Sequence, residues 1–202
     1  MLAETFLKLV EKATTDIDVD RLRGDVLELA TRHPEATTRE MGQRLVTRAA
    51  RRAAVLGGVA GLPPGWAALA TAAPELTALL ILQSRLIVSL HLLYGAPMEA
   101  KERALEVIAG LAAGAGINVG RRLTARAAEE IAERLLARFI GRETSHLVPL
   151  FGAAAGAALN YGAVRAVGKA ALRRVERLYG PPNYLERDSF STRPAGCRKA
   201  AW

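Results

Sequence analysis

Between residues 53 and 99 this 202-residue chain carries only three charged side chains, Glu75, Arg85 and Glu99. A stretch so poor in charge must leave water, either inside a protein core or inside a bilayer. Its first part, AAVLGGVAGLPPGWAALATAAP, is long enough for a transmembrane helix, which needs ~20 apolar residues. Pro63 and Pro64, set beside Gly61 and Gly65, would break such a helix in its middle. The segment therefore reads as helix, tight turn, helix: a hairpin and not a single span. Glu75 is then expected to open the longer helix ELTALLILQSRLIVSLHLLYG, closed by Gly95 and followed by Pro97.

Half of the residues are hydrophobic but only 5% are aromatic, and Ala and Leu dominate. Such residues build cores from helices at short range and not from sheets, which favour Val, Ile, Tyr and Phe. The expected fold class is all-α, a multi-helix bundle with closely packed, Gly/Ala-rich central hairpins. Residues 2–13 and 18–32 read as short amphipathic helices. Thr37 and Glu40 form a capping-box pattern ahead of EMGQRLVTRAARRAAVL, which should stop at Gly57 and Gly58. A helical run to about Asn118, a charged amphipathic stretch through Arg138 and a break at Gly141 follow. The expected division is 1–36 for the first short helices, 37–180 for the main helical domain and 181–202 for a disordered tail.

The stretch GLAAGAGINVG is matched 42 residues later by GAAAGAALNYG. Gly110, Gly114 and Asn118 correspond to Gly152, Gly156 and Asn160. At i, i+4 and i+8 these residues form one stripe on a helix. Glycines there let a second backbone approach closely, and each Asn could hydrogen-bond across the contact. The two glycine faces are expected to pack against each other near the centre of the molecule.

The formal net charge is +8 and the pI near 10.2. That excess favours a polyanionic partner, nucleic acid or an anionic lipid surface. Arg165, Lys169, Arg173 and Arg177 recur every four residues and draw one basic stripe along the last helix. Arg44 and Arg48, with Arg51 and Arg52, add cations to an earlier helix, which makes an anionic-membrane contact the expected use. Glu75, Gln83 and Arg85 lie on an otherwise apolar helix. Buried charge needs partners, so these residues are expected to bond across the core or to orient a ligand there.

PPGWAALATAAPELTALLILQSRLIVSLHLLYGAP, with Glu75, the Gln83/Arg85 pair and Tyr94-Gly95, resembles the central segment of EcsC-like proteins. LVPLFGAAAGAALNYGAVRAVGKAALRRVERLYG resembles their closing segment, where a Pro, a Gly-rich run and an Asn precede a basic amphipathic helix. Together the resemblance covers roughly residues 45 to 180. It implies a helical, bacterial protein, cytoplasmic or membrane-associated, linked by name to a transporter-associated gene cluster. It brings no catalytic residues.

Several other patterns fail on their chemistry. Asp16, Asp18 and Asp20 match the start of a calcium loop, but Arg21 stands where a Gly is needed and Leu27 where a Glu is. A helix start capped by Asp is the expected reading. GLAAGAGINVG and GAVRAVGKA lack the strand context and spacing of phosphate loops. His33, His91 and His146 stand apart without metal-ligand spacing, and Cys197 reads as an incidental thiol. MLAETFLKLVEK is broken by charge and reads as an amphipathic helix, not a signal peptide. No cofactor, metal or catalysis is expected. The first expectation is a cytoplasmic protein, peripheral to or shallowly embedded in the inner membrane, that meets an anionic bilayer or a membrane protein. The second is a soluble binder of an apolar, lipid-like ligand between the Gly-rich helices and residues 75–94. Nucleic acid is the least expected partner: residues 20–52 could form a helix-turn-helix, but the apolar continuation draws that helix into a core.

Overall fold

The computed structural model describes residues 2–60, 66–96, 98–120, 123–143 and 152–180. Among these residues it contains seven helices and no strand: α1 (Leu2–Thr15), α2 (Val19–Arg32), α3 (Thr38–Ala60), α4 (Trp66–Leu93), α5 (Ala100–Gly114), α6 (Ala125–Glu143) and α7 (Gly152–Tyr179). The fold is an all-α bundle. The Pro63-Pro64 turn, the segment 147–151 and the tail from 181, with Cys197, lie outside the described residues.

Local signals set most helix ends. Asp18 caps α2 by accepting the Arg21 amide at 2.9 Å. Thr37 and Glu40 form a reciprocal capping box at the start of α3: the Thr37 amide donates to Glu40 Oε2 at 2.8 Å, and the Glu40 amide donates to Thr37 Oγ1 at 3.2 Å. Gly95, at φ 71°, ends α4; its amide donates to the Leu92 carbonyl and that of Ala96 to the His91 carbonyl, both at 3.0 Å.

Three expected boundaries move. α3 does not stop at Gly57 and Gly58 but runs on to Ala60, because Gly57 is used for close packing and not as a cap. α4 begins at Trp66, so Glu75 sits well inside it and opens nothing. The helix continues through Pro74; packing of its later turns outweighs the one missing amide. α6 passes Gly141 and ends at Glu143.

α3 and α7 form the most extensive helix pair and run antiparallel. A methyl group at Gly57 would collide with the Gly156 carbonyl, and one at Gly156 with the Gly57 carbonyl. Further along, a methyl group at Gly168 would lie 2.8 Å from Val46 Cγ1, and one at Gly42 would lie 2.7 Å from Leu172 Cδ1. Backbones this close need small residues, which the buried Ala49, Ala50 and Ala53 of α3 also provide. α5 lies on the same α7: Gly114 meets Val167, and Gly110 meets Ala171 together with Ile87 of α4. The two glycine faces therefore do not pack against each other. Gly156 pairs with Gly57 of α3, while Gly110 and Gly114 receive branched side chains.

The 42-residue repeat is not a structural repeat either. Its first copy ends a helix and its second lies wholly within α7. The difference rests on one position, Gly116 against Ala158. Gly116 adopts φ 75°, and the Ile117 amide turns back to the Ala112 carbonyl at 2.8 Å. Ala158 offers no such freedom, so its helix goes on.

Residues from all seven helices and the α2–α3 and α5–α6 loops share one core, among them Val10, Leu29, Ala50, Ile87, Val107, Leu135 and Val164. α1 and α2 thus belong to the same packed unit as the rest, with no packing boundary at residue 36. Leu76–Leu93 of α4 is long and apolar enough to cross a membrane, but 56% of it is buried within the protein.

Candidate anionic-surface site

One ion pair, with its arginine buried and its glutamate half-buried, fixes the position of α7. Arg174 is 4% exposed and donates to Glu106 of α5 through both Nε (2.8 Å to Oε2) and Nη2 (3.0 Å to Oε1). Its Nη1 donates to the Gly120 carbonyl at 2.9 Å. A planar guanidinium can satisfy a carboxylate with two parallel bonds while a third holds the α5–α6 loop. His91 of α4, 1% exposed, bonds through Nδ1 to the Ile87 carbonyl at 3.0 Å and turns Nε2 to within 3.7 Å of Glu106 Oε2. Because Nδ1 is the donor to that carbonyl, Nε2 offers the carboxylate a proton only when the ring is charged. The Tyr179 ring meets His91 edge-on at 6.0 Å. Burial opposes the charge on Glu106, but the bonds and positive charge of Arg174, with the His91 ring beside it, outweigh it and hold its carboxyl down to about 2.

A second link closes the same end of the bundle. Glu176 of α7 accepts the Tyr94 hydroxyl at 3.3 Å and lies 3.4 Å from Arg39 Nε of α3. Arg174 and Glu176 thereby clamp the last turns of α7 to α3, α4 and α5, so the cations between and beside them are held on a rigid helix.

Arg165, Lys169, Arg173 and Arg177 are all exposed, and none forms an ion pair among the described residues. Arg165 rests on its own helix: Nη1 reaches the Tyr161 hydroxyl at 3.4 Å, and its guanidinium lies 5.7 Å from that ring's centre. Arg44, Arg48, Arg51 and Arg52 are exposed as well. Helical periodicity sets Arg44, Arg48 and Arg51 on the side of α3 opposite Gly42, Val46, Ala53 and Gly57, the row that meets α7. On α7, Lys169 and Arg173 each follow by one residue Gly168 and Leu172, which meet α3, so that row lies about 100° round from the contact and the two basic sets face different sides of the bundle. A flat surface laid along the bundle meets one of them at a time.

The other expected site residues separate. Gln83 is buried, whereas Arg85 is exposed, one turn after exposed Ile81 on the solvent stripe of α4, and is not a core residue. The Glu75 side chain lies outside the described residues. Asn160 is half-buried with its amide nitrogen against Gly57. Asn118 is exposed, because the helix has already ended at Gly114, and it does not bond across a helix contact. It borders two adjoining hollows of ≈ 450 and ≈ 270 Å³; Arg134 flanks the first, and Arg173, Arg174 and Arg177 flank the second. Gly152 opens α7. Between the glycine-bearing helices and α4, where an apolar ligand was expected, Ile87 fills the space over Gly110 and Leu86 packs against Gly168.

Sequence reasoning missed Glu106, Arg174 and the role of His91. The signal was present. Arg174 falls on the apolar row of α7 with Val167, Ala171 and Val175, and Glu106 continues the Gly110/Gly114 row one turn back. Charges on inward rows need each other. No family model, curated protein or solved structure matches the chain.

Proposed function

We propose that this chain is an EcsC-like, non-enzymatic helical protein that associates peripherally with an anionic bilayer on the cytoplasmic side. The observation that carries this reading is the row Arg165, Lys169, Arg173 and Arg177, exposed and without acidic partners on a helix clamped from within. Unpaired cations in a fixed row are costly to keep together unless an external anion neutralises them. Near a charged bilayer each is worth about 1 kcal/mol. Four such residues, added to the exposed arginines of α3, separate bound from free protein.

The test is vesicle flotation of the parent and of the variant with Arg165, Lys169, Arg173 and Arg177 all changed to Gln. Binding to vesicles containing phosphatidylglycerol should weaken at least about thirtyfold in the variant, since the cations nearest the headgroups contribute about 1 kcal/mol each. Parent binding should fall as salt rises, because screening shortens the reach of exposed charge. A parent that ignores anionic vesicles, or a variant that binds as well as the parent at every salt concentration, refutes the reading.

A further inference from the structure

We propose that the protein enters the bilayer end-on, with the ends of α3, α4 and α7 remote from the Arg174 clamp lying within one leaflet. This inference rests on the anionic-surface reading and adds its geometry. The ends concerned carry no charge: residues 53–60 of α3, 66–74 of α4 and 152–164 of α7. The first charges met on leaving them are Arg52, Glu75 and Arg165. The register that sets Gly57 on Gly156 and Val46 on Gly168 places Arg165 level with Ala49, about one turn from Arg52. Charge thus begins at nearly one height on both sides of the bundle.

That height suits a leaflet. The charge-free residues rise about 12 Å along α3 and about 20 Å along α7, against about 15 Å for half of a hydrocarbon core. The surface there is apolar and open. Val55 is 67% exposed and Leu159 52%, and Leu76, beside Glu75, is 47% exposed. Ala154, Ala158 and Gly162 complete an outer face of small residues on α7. Asn160 turns its amide toward Gly57 inside the helix contact, and the Tyr161 hydroxyl accepts from Arg165.

The end-on pose also gives both basic sets a use. Arg51 and Arg52 on one side and Arg165 and Lys169 on the other ring the apolar end at headgroup depth, where long side chains can reach phosphates. Arg173 and Arg177 then stand about 12 and 18 Å above Arg165 and about 6 and 12 Å above Lys169, so that with a ~8 Å screening length at physiological salt they contribute less. Positions along α7 should therefore differ in importance, which a bundle lying flat along that helix would not produce.

The chain has two tryptophans, Trp66 at the start of α4 and Trp202. With Trp202→Phe, the fluorescence of Trp66 reports on the apolar end alone. On phosphatidylcholine–phosphatidylglycerol vesicles it should shift to the blue, escape aqueous acrylamide and be quenched by lipids brominated in the upper acyl chain. Val55→Glu and Leu159→Glu should each lower the partition coefficient about tenfold or more. Leu27→Glu, at an exposed leucine of α2, should leave it within about twofold and controls for the added charge. The pair Arg165→Gln and Lys169→Gln should weaken binding more than Arg173→Gln and Arg177→Gln together. A parent that binds while Trp66 stays unquenched and open to acrylamide overturns the end-on pose and leaves the anionic-surface reading standing. Equal effects of the two pairs overturn it in the same way. A parent that does not bind anionic vesicles at all overturns both.

Discussion

Gly57 and Gly156 each lack a Cβ because the other's carbonyl group occupies the place it would take. Gly57→Ala or Gly156→Ala should therefore force the α3 and α7 backbones apart and cost about 3 kcal/mol, measured by urea unfolding. Gly162, on the same helix, has nothing within 4 Å of the corresponding position. There Gly162→Ala should stabilise by up to about 1 kcal/mol through helix propensity. The sequence made the close approach of Gly156 legible but not its partner, since spacing along one helix says nothing about which second helix arrives. Arg174 shows the same limit. Arg174→Ala should cost about 2–3 kcal/mol by leaving Glu106 charged, half-buried and without its guanidinium partner. The Glu106 carboxyl, near 4.5 when unfolded, is held at about 2 in the fold. Its contribution is complete above the unfolded value and is lost as pH falls from about 4.5 toward 2. Glu106→Gln should accordingly lower stability at neutral pH and flatten the acid limb of the stability curve across that window.

At the scale of helices, ends set by short-range chemistry were legible and ends set by packing were not. Asp18, the Thr37/Glu40 box and Gly95 act within one turn of chain, and each end falls where its residues call for it. Gly57–Gly58 and Pro74 look like the same punctuation, yet α3 and α4 run through them because long-range burial outweighs local preference. The stretch 110–120 shows how narrow the margin is. Its likeness to 152–162 suggested two equal helices, and one glycine in the left-handed region divides them. Gly116→Ala should cost about 1–2 kcal/mol, because a side chain there pays the left-handed penalty in the native turn. Hydrogen exchange of the Ile117 amide, which closes that turn at 2.8 Å, should quicken in the variant.

For the whole molecule, polarity of construction matters more than net charge. One end is fastened by Arg174–Glu106 and by Arg39 and Tyr94 on Glu176, while the other is small, apolar and partly open. The charge-poor stretch from residue 53 posed a choice between core and bilayer. The structure divides it: much of Leu76–Leu93 is core, and exposed apolar side chains gather at the far end. The basic row of α7 was readable from its period of four, but its direction relative to the α3 arginines required the fold. On our proposal this asymmetric molecule meets an anionic bilayer end-on. Neutron reflectometry of the protein on a supported phosphatidylglycerol-containing bilayer measures it directly. α7 is 28 residues and about 42 Å long. An end-on molecule, with about 12–20 Å of its apolar end sunk in the leaflet, should leave a protein layer about 22–30 Å thick and add protein density to the outer hydrocarbon region. Protein density confined to the headgroups and solvent, with none in the hydrocarbon, would contradict it.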